Sequence, residues 1–143
     1  MGAFHEDYIN IILDGIMNAG EGGSGCYIKN ASGTNIISGD PWIGLLTADW
    51  TSSINMSTSE VTGGSYARQQ AEFSASARGT TDNDSNIDFT SMPAVTVHAV
   101  AICATTTENA DDAIIGGNLT AEKTCNSGDT FRIAAGDLDV TLT

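Results

Sequence analysis

The chain has almost no positive charge. Five Lys and Arg face 18 Asp and Glu, for a formal net charge of −13. Such a surface repels phosphate backbones, which argues against direct binding of DNA or RNA. It keeps a protein soluble, and it suits docking on a basic surface such as the outside of another protein shell. Three cysteines, Cys26, Cys103 and Cys125, are odd in number and irregular in spacing. They make neither a disulfide framework nor a zinc pattern, and Cys103, inside an apolar stretch, reads as a buried small residue. No run of eighteen apolar residues exists, so no membrane-spanning helix is expected. The apolar part of the N-terminus follows acidic residues rather than basic ones, so secretion is not expected.

The vocabulary of catalysis is equally thin. The two histidines are His5 and His98. By alternation His98 shares a strand face with Val100 and Ile102, which suits a core or interface histidine bonded to backbone more than a general base. The segment GGSGC at 22–26 lacks the second glycine of a nucleophile elbow, and no glycine-rich loop leads into Lys and Ser or Thr. Asp111 and Asp112 fall in a hydrophilic loop with no sign of a substrate cleft. Asp82, Asp84, Asn86 and Asp88 alternate like the opening of a calcium loop, but Ile87 and Pro93 stand where such a loop needs Gly and Glu. A polar loop entering a strand is the simpler reading. Asn30, Asn55 and Asn118 head glycosylation sequons that read as chance in a chain rich in Asn, Ser and Thr. The expectation is a protein that is not an enzyme, with no cofactor and no metal.

What is present is the grammar of a small β-protein. A length of 143 residues suits one domain with its own core. Sixteen glycines and abundant small polar residues favour short strands joined by turns. Near the N-terminus, Ile9, Ile12, Leu13, Ile16 and Met17 fall on one helical stripe, with Ile11 off it and facing outward. Glu6 and Asp7 suit the start of this helix, and Gly20 with the following EGGSG ends it. A small sandwich alone leaves such a stripe uncovered, so these five residues are candidate subunit-interface positions in a homo-oligomer, a trimer or a dimer. Residues 20–41 are polar with little alternation and read as an insertion or arm, with edge strands at Tyr27–Ile28 and Ile36–Ile37.

From residue 42 onward, strands are expected at 42–48, 66–73, 86–89, 95–104, 113–115, 130–134 and 137–142. A turn is expected at Gly116–Gly117 and another at Ala135–Gly136. The central part of 95–104 is apolar on both faces. In 66–73, Tyr66, Arg68, Gln70 and Glu72 should point one way. The economical architecture is mainly β: a single β-sandwich of about seven or eight antiparallel strands with a short N-terminal amphipathic helix. Its parts are a helix or arm over 1–19, the insertion over 20–41 and the sandwich over 42–143. Arg68 stands out among so few cations as half of a cross-strand or subunit salt bridge, or as a ligand contact. Trp42 reads as core and Trp50 as packing under a loop, and both are candidates for recognising a host-surface glycan.

The order of segments also resembles a known family. A Leu13–Asp14 pair in the helix is followed by WIGLLTAD at 42–49 and EVTGGSYARQ at 60–69. A Val- and Ala-rich strand comes next, then GGNL at 116–119 and TAEKTCNSGDTFRIAAGDL at 120–138. This is similar to small virion structural proteins of tailed bacteriophages, of the head decoration or tail fibre type. The resemblance covers nearly the whole chain apart from residues 19–41. It implies a β-sandwich without catalytic residues, assembled into the virion in the bacterial cytoplasm. Its implied partners are the major capsid protein or other virion proteins. A small acidic single domain without fibre repeats suits capsid decoration, a cement protein stabilising the shell, slightly better than a tail or fibre component.

Overall fold

The computed structural model describes residues 6–17, 31–33, 35, 37 and 39–142. Its elements run α1 (Glu6–Met17), β1 (Trp42–Leu46), α2 (Met56–Ser59), β2 (Gln69–Gln70), β3 (Thr80–Thr81) and β4 (Ile87–Phe89). They continue with β5 (Val95–Cys103), β6 (Ala113–Cys125), β7 (Phe131–Ile133) and β8 (Val140–Thr141). The fold is mainly β, with eight strands in antiparallel arrangement and one short N-terminal helix, as the sequence predicts. The expected strands at Tyr27–Ile28 and Ile36 lie outside the described residues, as do His5, Cys26 and the glycines at 20–25.

The chain divides into two compact units, residues 1–41, 71–86 and 133–143 in one, residues 42–70 and 87–132 in the other. In the first, the helical stripe turns inward: Leu13, Ile16 and Met17 are buried, while Ile9 and Ile12 are half-buried. Ile11 is the exposed large hydrophobic, 47% accessible. Polar contacts lock α1 to the 76–79 turn. Ser76 N–H donates to Asp14 and Gly79 N–H to Asn10, both at 2.7 Å. A Cβ at Gly79 would strike Ile9 and the Leu142 carbonyl, so this turn sits at a close approach and adopts φ +77°. Asn83, 1% exposed, organises the rest. Its amide donates to the carbonyls of Ser85 and Ala134 and accepts the Leu138 N–H.

The second unit centres on a four-stranded sheet in the order β2-β1-β5-β6. Leu46 pairs with Ala99, Gly44 with Ala101 and Trp42 with Cys103. On that face Leu46, Ala99, Ala101 and Cys103 pack with Met56, and Trp50 and Ile54 lie against them. The opposite face carries Ile43, Leu45, Val100 and Ile102, also buried. A strand covered on both sides reads as a continuous apolar run, which is why β1 and β5 were predictable. Beside this sheet, Phe89 of β4 meets Phe131 of β7 edge-on and Tyr66 in a stacked pair.

Two expectations about strands are corrected. Residues 66–73 do not form one strand: Gln69–Gln70 pairs with β1, and Phe73 makes an isolated bridge to Asn83. Tyr66 and Arg68 point inward, then the inward set becomes Ala71 and Phe73, so the alternation slips by one at the two glutamines. Gly116–Gly117 is not a turn but the middle of a 13-residue strand. A Cβ on Gly116 would fall inside the Trp50 ring, so this glycine makes room for an indole rather than bending the chain. The turn expected at Ala135–Gly136 is present, between β7, which joins β4, and β8, which joins β3.

Candidate functional site

Two features of the second unit concentrate polar chemistry. The first begins at Gly44, whose missing side chain leaves space above β1: a Cβ there would sit 3.0 Å from Glu60 Oε1. Glu60, just after α2, lies over the sheet, and Arg68 meets it in a two-pronged pair, Nε–Oε1 at 2.8 Å and NH2–Oε2 at 2.9 Å. The guanidinium also donates to Asp112 Oδ1, Thr105 O and Ala110 O. Five acceptors meet the five N–H bonds an arginine owns, the complete satisfaction a buried cation requires. Side chains of Arg68 and Glu60 are 0% exposed.

Neighbours complete this network. Tyr66 donates its hydroxyl to Glu60 Oε1 and accepts the Leu45 N–H, both at 2.9 Å. Asn109, in the left-handed region at φ 59°, donates its N–H to Glu60 Oε2. Asp112 Oδ2 accepts from the Thr105 N–H and hydroxyl. Burial, then the Glu60 charge, pushes the Tyr66 hydroxyl far above its ordinary range. Burial alone would lower the Arg68 value, but bonds to Glu60 and Asp112 outweigh it and raise it. Burial pushes the Cys103 thiol up to about 12. The network is a clamp that fastens the 104–112 loop to the sheet.

The second feature is a groove of about 360 Å³ beside that loop, lined by Trp50, Ser52 and Ile54 on one side and by Asp111 and residues 113–116 on the other. Trp50 is fixed by its backbone N–H, which donates to Asn118 Oδ1 at 2.6 Å, and by the contact of its ring with Gly116. Asp111 Oδ1 accepts the Met56 N–H at 3.3 Å.

The sequence-predicted residues divide between these places and the core. Arg68 lies in the clamp. Ile9, Ile12, Leu13, Ile16 and Met17 lie on α1 in the first unit, the last three buried there. His98 is neither core nor backbone-bonded: it is partly exposed, with Nδ1 3.2 Å from Glu122 Oε1 and 3.7 Å from Asp49 Oδ1. Three of the four alternating residues at 82–88 have structural work. Asp82 accepts from the Ser74 hydroxyl, Asn86 from the Ala135 N–H, and Asp88 holds Arg132 at 2.6 Å. Among the described residues no cluster of His, Cys, Asp and Glu has a metal-binding arrangement. Two sequon asparagines are likewise structural, Asn55 capping α2 and Asn118 holding Trp50. Sequence reasoning missed Glu60 and Asp112 as partners of Arg68, and Tyr66 as a partner of Glu60. The available signal was scarcity, since a lone arginine among apolar residues needs carboxylates nearby.

The chain matches a family model described as "Podophage GP4 fiber I protein gp80" over residues 15–141. No curated protein matches it.

Proposed function

Because the chain belongs to the family of podophage GP4 fiber I protein gp80, virion structural proteins of tailed phages, we propose that it is a component of the tail fibre apparatus. The family match over residues 15–141 is the observation that carries this reading, because its description names a fibre protein. The protein acts by holding surfaces together rather than by catalysis. Supporting this, the buried Arg68 and Glu60 of the clamp are paired with each other, and the guanidinium also holds Asp112. Its partners are other virion proteins and further copies of itself, and its acidity favours basic docking surfaces.

Counting copies in purified particles, with antibody labelling in the electron microscope, tests this. The expected result is a low copy number with label on tails. Hundreds of copies with label over heads would overturn it and return the protein to capsid decoration. Light scattering on the isolated chain tests self-association, with a dimer or trimer expected and a monomer at all concentrations counting against it.

A further inference from the structure

We propose that the Trp50 groove binds a neutral saccharide of one or two rings. The inference stands on the groove alone and is independent of where the protein sits on the particle. Trp50 lines the groove with the part of its indole that Gly116 and the core leave uncovered, an apolar surface of the kind on which the C–H face of a pyranose stacks. Asp111 is exposed, and its Oδ2 has no protein partner among the described residues, so it is open to accept from two adjacent hydroxyls. Ser52 adds an exposed hydroxyl on the opposite lip. A purely apolar ligand would leave these polar groups unpaired, which small-ligand sites avoid. The volume, about 360 Å³, lies at the small end of ligand sites and admits no long oligomer.

Charge narrows the class. No Lys, Arg or His lines the groove, one carboxylate does, and the chain carries −13. Phosphate, sulfate and acidic sugars are therefore disfavoured. An added peptide strand is also a poor occupant. β6 is the end strand of its sheet, its register against β5 shifts between 118 and 123 and again between 113 and 115, and such bulges guard an edge against pairing. Both walls are held before any ligand arrives. Gly116 makes room for the indole, Asn118 holds the Trp50 backbone N–H, and the Arg68 clamp sets Asp112 and with it the adjacent Asp111. A rigid site loses less freedom on binding.

The test is NMR titration of the full chain with the methyl glycosides of galactose, glucose, rhamnose and N-acetylglucosamine, and with N-acetylneuraminic acid as the anionic probe. At least one neutral glycoside should shift the Trp50 indole resonance and those of residues 111–116, with a Kd on the order of millimolar. Trp50→Ala and Asp111→Asn should each weaken it about tenfold or more, the second keeping an acceptor for the Met56 N–H. Gly116→Ala, which keeps the indole but displaces it, should weaken it comparably. Three results would overturn the proposal: no neutral glycoside perturbing these resonances at about 50 mM, binding unchanged in Trp50→Ala, or the acidic sugar binding as tightly as the neutral ones.

Discussion

Arg68 and Glu60 show how much one pair of side chains decides. Replacing Arg68 with Ala would leave the Glu60 carboxylate at 0% exposure without its counter-ion. Stranding a buried charge in this way costs about 3–5 kcal/mol. Chemical denaturation should show that loss, together with early proteolysis of the 104–112 loop that the guanidinium holds. Arg68→Lys should recover only part of it, because an ammonium cannot reproduce the two-pronged pair. Cys103 gives a second residue-scale expectation. With its thiol pushed up to about 12, chiefly by burial, it should resist thiol reagents at pH 8 in the native protein and react once the chain is unfolded.

At the scale of elements, α1 holds to its unit through a few fully buried side chains. Leu13→Ala removes one that is 0% exposed and should cost about 2–5 kcal/mol in denaturant melts. The same change at the exposed Ile11 should cost almost nothing. The β4 and β7 strands are joined by the Asp88–Arg132 pair, whose pH dependence has a definite sign. Hydrogen bonds from Arg132 hold Asp88 below its ordinary value of 3.8. The unfolded chain therefore takes up this proton more readily. The pair stabilises the fold above about pH 4, and the contribution disappears as pH falls through the depressed value. Asp88→Asn should lower the melting temperature slightly at pH 7, with the gap to the parent closing as acid protonates Asp88 in the folded chain.

Elements also show where sequence patterns stop being readable. The stripe of α1 and the two-sided burial of β5 were legible because each is a local period of apolar residues. The strand at 66–73 was not, because its alternation slips at Gln69–Gln70, where the chain changes from one set of buried neighbours to another. Gly116 carried the usual signal of a turn, yet a tryptophan 66 positions earlier in the sequence occupies its missing side chain. No local window holds both residues.

For the whole molecule, charge is the dominant global term. At −13 the folded chain repels itself, and salt screens that repulsion. The melting temperature should rise between low and physiological ionic strength, and a fall would show that ion pairs outweigh the repulsion.

By itself the sequence determined the class: many short antiparallel strands, one amphipathic helix, an acidic surface, and a family of virion proteins legible from its motif order. These follow from composition and short-range periodicity, which act within a few residues. Only the tertiary structure decided which carboxylates neutralise Arg68, that Gly44 and Gly116 are spaces for Glu60 and Trp50, and that Asp111 stands across a groove from an indole. Those outcomes depend on contacts between residues far apart along the chain. Their identities follow from how strands pair and loops are held, and no local pattern encodes them.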